Sequence, residues 1–234
     1  MHFASFASLN GVLYAVARNS SDGLEIWRSN TGDNGDWTRV LAGGNGDTDN
    51  YSGNLFEHQG FLYASVENLV DGLEIWRTND GVAWARVSTG GFDDSRNKEP
   101  SNIASLGGYL YVGTNNAAGP QLWRSSNGTT WIQVLGNGFG DSNNTKITPL
   151  VVFGGALYAG VYNDVTGVEV WRSADGTTWS QVNPDGFGDS NNNKTSGAVV
   201  FTRRLLMGTS NTANVGELWL YLSNRTYLPV VLRQ

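Results

Sequence analysis

The sequence predicts an all-β protein: a five-bladed β-propeller with four antiparallel strands per blade and about 48 residues per repeat. Three observations carry this. Trp-Arg pairs stand at Trp27-Arg28, Trp76-Arg77, Trp123-Arg124 and Trp171-Arg172, and Trp219 follows in step, at intervals of 49, 47, 48 and 48 residues. Trp37, Trp84, Trp131 and Trp179 keep the same period and complete the nine tryptophans. Leu13-Tyr14, Leu62-Tyr63, Leu110-Tyr111 and Leu157-Tyr158 repeat likewise, with Leu205-Leu206 in the fifth place, and no window sustains a helical period.

The strands follow in order within each repeat, and the fourth shows them best. "PLVVF" (149–153) is strand A, and a Gly-Gly turn leads to strand B, "ALYAGVYN" (156–163). Strand C is "GVEVWRS" (167–173), and the turn "ADG" leads to strand D, "TTWSQV" (177–182). Blades of roughly 1–50, 51–98, 99–146, 147–194 and 195–234 make one propeller domain over 1–234. Small residues on the A strands (Ala4, Ser5, Ala7, Ala104, Ser105) suit the crowded axis of a ring. The last strand, "TYLPVVLR" (226–233), has no Trp and carries Pro229, which fits an outer edge strand. Its apolar character makes 226–234 a candidate surface for a protein partner or self-association.

Composition narrows the function. The net charge is −6 and no Lys/Arg run exists, which excludes a phosphate-tracking nucleic-acid surface. No apolar run of about 18 residues is present, so no membrane-spanning helix is expected. With no cysteine, disulfides, thiolate metal sites and cysteine nucleophiles are ruled out. Two histidines, one terminal (His2) and one in a turn (His58), give little material for a catalytic triad or a histidine metal site.

The C–D hairpins read "RSADGTTW" (172–179), "RSSNGTTW" (124–131) and "RTNDGVAW" (77–84). They resemble the Asp-box (BNR-type) hairpin of sialidases and secreted propellers. The match falls on Ser173, Asp175, Gly176 and Trp179; on Ser125, Asn127, Gly128 and Trp131; and on Thr78, Asp80, Gly81 and Trp84. The box here lacks the usual extra residue between Asp and Gly, and the fifth repeat has lost it. The whole repeat is similar to bacterial secreted propeller arrays and, more loosely, to tachylectin-like five-bladed lectins. That resemblance implies a secreted propeller with structural turns.

Strand order puts the D–A and B–C loops on one rim. Asn19, Asn68, Asn116, Asn163 and Asn211 each stand five residues after the Leu-Tyr position. The D–A loops bring Asp47, Asp94, Asp141 and Asp189, and near them the only three lysines, Lys98, Lys146 and Lys194. "GFGDSNNTK" (138–146) and "GFGDSNNNK" (186–194) are such loops, in which Phe139 and Phe187 read as plugs between blades. Amide, carboxylate and ammonium groups together suit hydroxyl-rich ligands, with Trp27, Arg28, Trp76, Arg77, Trp123, Arg124, Trp171 and Arg172 as aromatic and cationic contributors. The bland alternative is that the asparagines only close turns. The arginines also read as latches to a glutamate (Glu25, Glu74, Glu169, Glu217) of the neighbouring blade. The "DSNN" phrase hints at calcium, with 47–50 ("DTDN") its best copy, but a Lys arrives where a late Glu is needed; no cofactor and no metal is expected.

These readings lead to a non-catalytic, extracellular or cell-surface binding propeller, lectin-like, holding a glycan at several equivalent sites. No asymmetric catalytic pair stands out, so no enzyme is expected. A structural or adhesive protein-interaction module is the alternative, and a glycoside hydrolase of sialidase-like architecture the second.

Overall fold

A computed structural model describes residues 2–19, 21–222 and 225–229. The strands form antiparallel meanders, each paired in sequence order. The first runs His2–Leu9, Val12–Arg18, Glu25–Ser29 and Thr38–Leu41; the second Asn50–His58, Phe61–Asn68, Glu74–Thr78 and Ala85–Arg86. The third runs Ala104–Leu106, Tyr109–Asn115, Leu122–Ser125 and Ile132–Leu135; the fourth Asn144–Phe153, Ala156–Asn163, Glu169–Ser173 and Ser180–Gln181. The fifth runs Asn192–Phe201, Arg204–Asn211, Leu218–Leu222 and Arg225–Pro229. A single bridge, Asn115 to Lys146, joins the third sheet to the fourth. Among the described residues the only helices are short 3-10 turns in the D–A loops, and no helix is long and apolar enough to cross a membrane. Only the backbone of 226–229 is described in the C-terminal stretch, so the docking surface expected of 226–234 lies outside the described residues.

The chain divides into two compact units: Met1–Ile103 with Ser125–Trp131, and Ala104–Arg124 with Ile132–Gln234. In the first, Val16, Leu24, Ile26, Leu62, Val66 and Trp76 form the core. In the second, one cluster gathers Leu122, Ile147, Leu150 and Leu157, and another Val168, Val170, Leu205 and Met207. Strand B is buried almost throughout, as Phe61–Asn68 and Ala156–Asn163 illustrate, because each inner strand is covered on both faces.

The Asp-box-like turn of one repeat seats on the Leu-Tyr tyrosine of the repeat before it. A Cβ on Gly81 would overlap the Tyr14 hydroxyl; on Gly128, that of Tyr63; on Gly176, that of Tyr111. All three glycines also have positive φ, at 74°, 72° and 74°. Two far-separated motifs, Leu-Tyr and Asp-box, are therefore two halves of one contact. The same register carries the turn 125–131 into the first unit, where Arg77 donates to the Asn127 carbonyl at 3.1 Å and Trp131 packs on Phe92. Gly176→Ala should therefore cost about 1–3 kcal/mol through overpacking, whereas Gly197→Ala, with open space at its Cβ, should be near neutral; urea denaturation of both variants checks this.

Candidate functional site

Three D–A loops are tied to the neighbouring B–C loop by a polar clasp. In the fourth repeat, Asn163 Nδ2 donates to Asp141 Oδ2 at 2.9 Å and to Asn144 Oδ1 at 3.0 Å. Asn144 Nδ2 donates to the Gly138 carbonyl and to Glu169 Oε2, both at 2.8 Å. Trp171 Nε1 completes the chain on Glu169 Oε2 at 2.7 Å. The second repeat repeats it with Asp47, Asn68, Asn50, Glu74 and Trp76. The fifth does so with Asp189, Asn211, Asn192, Glu217 and Trp219. Burial raises the Glu169 carboxyl above the ordinary carboxylate value, against the pull of the Asn144 and Trp171 hydrogen bonds.

The sequence-predicted residues fall into separate places. Asn68, Asn116 and Asn163 are buried. The Oδ1 atoms of Asn19, Asn68, Asn116, Asn163 and Asn211 accept from backbone N–H groups two or three residues on, closing the B–C turns. Asp47, Asp141 and Asp189 serve the clasp and also cap their own loops at the Asp49, Asn143 and Asn191 N–H groups. Asp94 accepts a bidentate pair from Nε and Nη2 of Arg96. Trp27, Trp76 and Trp171 donate to Glu25, Glu74 and Glu169, and Trp123 to Gln121.

The arginines sit on the opposite strand face. Arg77 lies 4.5 Å over Phe61, Arg124 4.6 Å over Tyr109, Arg172 Nε donates to the Tyr158 hydroxyl at 3.1 Å, and Arg28 registers with Tyr14 across strands B and C. The expected Arg–Glu latch between blades is thus corrected: Glu25 and Glu74 pair with Arg39 and Arg86 from strand D of their own repeat. Strand alternation puts each C-strand arginine on the face away from these carboxylates. Phe139 stacks 4.8 Å from Trp171 and Phe187 4.4 Å from Trp219.

The lysines are not one set. The backbone N–H of Asn50, Asn97, Asn144 and Asn192 each donates to the carbonyl of the D–A aspartate three residues earlier. Counted from that asparagine, Lys98 stands one position on, with Tyr51, while Lys146 and Lys194 stand two positions on, with Ser52 and Glu99. Lys98 is exposed. Lys146 and Lys194 lie 5.8 Å and 5.9 Å from the centroid of one ring, Tyr162.

The clasp leaves one row unconstrained. The residue before each B-strand asparagine is Arg18, Glu67, Asn115, Tyr162 and Ser210, different in every repeat. In the first unit this row builds an asymmetric cluster. The Tyr51 hydroxyl donates to Glu67 Oε1 at 2.7 Å, and the Arg18 guanidinium lies 4.7 Å over the Tyr51 ring. Burial and Glu67 push the Tyr51 hydroxyl up to about 12, and the Glu99 charge adds to this against Arg18. The phenol therefore stays protonated and donates to the Glu67 side chain. Sequence reasoning sought asymmetry among histidines and repeat arginines and passed over this row, although comparing the residue before each invariant Asn would have found it. Among the described residues no group of three His, Cys, Asp or Glu side chains converges as metal ligands, and 47–50 forms none.

No family model and no curated protein matches the sequence. Solved structures do match. The chain is similar to a prolyl endopeptidase (TM-score 0.62, 12% identity, 94% of this chain and 33% of that one). It is similar to the α-L-arabinofuranosidase CtGH43 of Clostridium thermocellum ATCC 27405 (TM-score 0.55, 13% identity, 97% of this chain and 92% of that one). It is also similar to the Bombyx mori GH32 β-fructofuranosidase BmSUC1 (TM-score 0.52, 12% identity, 97% of this chain and 62% of that one). The chain thus spans a third of the first and less than two thirds of the last. The fold is that of β-propellers. This corrects the expectation of a non-catalytic, lectin-like binding module and of no enzyme: the glycan-related propellers it is laid out like are glycoside hydrolases. The expectation failed physically because the polar rim taken for repeated ligand sites is largely a buried clasp, and the asymmetry lies beside it.

Two measurements test the local chemistry. Asn144→Leu should cost about 1–3 kcal/mol for each partner it orphans, read by urea denaturation. At the first repeat's turn, Asp36 accepts from the Ser29 hydroxyl at 2.6 Å and from the N–H and hydroxyl of Thr31, which lower its carboxyl to about 2. A lowered folded-state value means stability held above pH 3.8 and lost as pH falls toward 2. Asp36→Asn should flatten that decline when midpoints at pH 5 and pH 2.5 are compared.

Proposed function

We propose that the five repeats close as one five-bladed propeller that hydrolyses glycosidic bonds, with Glu67 as an acting carboxylate. The Tyr51–Glu67 pair is the observation that carries this reading. A phenol held protonated and donating at 2.7 Å orients the Glu67 carboxylate. Glycoside hydrolysis needs two carboxyl groups in different states. Glu99, whose charge reaches Tyr51, is the second. Arg18 over the Tyr51 ring is the cation of the cluster.

The likeness to an α-L-arabinofuranosidase over 97% of the chain supports a glycoside substrate, and the cluster supports a catalytic use of it. An extracellular or cell-surface location goes with this reading, because polymeric glycans are met there. The test is release of product from aryl α-L-arabinofuranosides, aryl β-xylosides and sucrose by the full chain. Glu67→Gln should lower kcat at least about a hundredfold, the scale of a lost general acid or base, while Tyr51→Phe should lower it roughly tenfold. Turnover untouched by Glu67→Gln, or no turnover on any of these substrates, would overturn the proposal.

A further inference from the structure

The chain's only lysines other than exposed Lys98 meet at one tyrosine. Lys146 pairs with Tyr162 across strands A and B of the fourth repeat, and Lys194 reaches the same ring from strand A of the fifth. Both ammonium groups are within 6 Å of the ring centroid, in a chain of net charge −6. The Tyr162 hydroxyl is already used, donating to the Thr195 carbonyl at 3.1 Å, so the ring is held in place and its faces serve the cations.

Beside this bracket stands an orphaned acceptor. Asn193, next to Lys194 in the chain, is 6% exposed, and its Oδ1 is buried without a hydrogen-bond partner. Its orientation is not arbitrary: the Nδ2 end donates to the Asp164 carboxylate, so the oxygen must face elsewhere. The Thr166 hydroxyl, in the same B–C loop as Asp164, is also buried and unpartnered. Buried polar groups of a native protein are nearly always satisfied, and two such atoms in one pair of loops call for a donor-bearing ligand or ordered water.

We propose that Lys146, Lys194, Tyr162, Asn193 and Thr166 form a subsite of the second unit for an acidic saccharide, a sugar that carries a carboxylate among its hydroxyls. Two ammonium groups, held over the Tyr162 ring, bracket the carboxylate, and the hydroxyls donate to Asn193 Oδ1 and exchange with Thr166. Each part alone is common; a dianionic or purely apolar ligand would leave the orphaned acceptor unmet. This site belongs to the second unit alone and goes beyond the hydrolytic reading without resting on it.

Binding is tested apart from turnover. Trigalacturonate is titrated calorimetrically into the full chain at low salt, beside its methyl-esterified form, sulfate ion and tri-glutamate. Expected is binding of trigalacturonate that weakens at least tenfold on esterification, with sulfate and tri-glutamate weaker still. Lys146→Met and Lys194→Met keep the aliphatic stems and should each weaken it about tenfold, Asn193→Leu should weaken it severalfold, and Tyr162→Phe should leave it unchanged. Equal binding of the ester, retention of affinity in the double lysine variant, preference for tri-glutamate, or no binding of trigalacturonate each overturns the proposal. Glu67→Gln should bind trigalacturonate like the parent chain, so turnover untouched by Glu67→Gln with binding retained would fault the catalytic reading and not this one.

Discussion

A carboxylate buried in the first, second and fourth repeats, at Glu25, Glu74 and Glu169, governs much of this architecture. Glu74 and Glu169 are 2% and 5% exposed, and an ionised or even neutral carboxyl cannot sit there without donors. The donors come from three places at once: the indole two residues on, the clasp asparagine of the D–A loop, and, for Glu25 and Glu74, an arginine of strand D. The Glu therefore ties strand C, strand D and the D–A loop together. That is why Glu-x-Trp, Asp-x-x-Asn and the B-strand Asn recur with one period. Each is a member of the same hydrogen-bonded chain, and removing one leaves the others buried and unmet.

The clasp also explains the loop backbone. Phe92, Phe139 and Phe187 adopt positive φ, at 57°, 63° and 57°, a conformation costly for a bulky residue. The turn accepts this because it returns the carbonyls of Gly91, Gly138 and Gly186 to the clasp amides while dropping each Phe into the core or onto an indole. Stacking at 4.4 Å and 4.8 Å offsets part of the strain.

Architecture was legible because it is written in residues that recur. Nine tryptophans and the Leu-Tyr pairs gave the strand order of every repeat, and the Asp-box glycines gave the C–D turns. The site was legible only in part. The Asn and Asp of the rim were found, but a one-dimensional period cannot tell a buried amide from an exposed one, and Asn163 and an exposed Asn look alike in sequence. Lys98 was grouped with Lys146 and Lys194 because all three end a similar phrase, whereas it stands one position nearer the clasp asparagine and is exposed. Glu67 and Tyr51 were passed over because the search followed what repeats, and they do not.

The row Arg18, Glu67, Asn115, Tyr162 and Ser210 has a consequence for how such a protein changes. Each of these residues is followed by an asparagine that anchors the B–C turn, so the backbone there is set by its neighbour and not by itself. A cation, an acid, an amide, a phenol and a hydroxyl are all accommodated at one address. Tandem duplication would therefore hand a lineage several identical, pre-braced sockets, each open to independent mutation at little risk to the scaffold. New specificities could be sampled one socket at a time, and the same row is the natural place to randomise in a laboratory library.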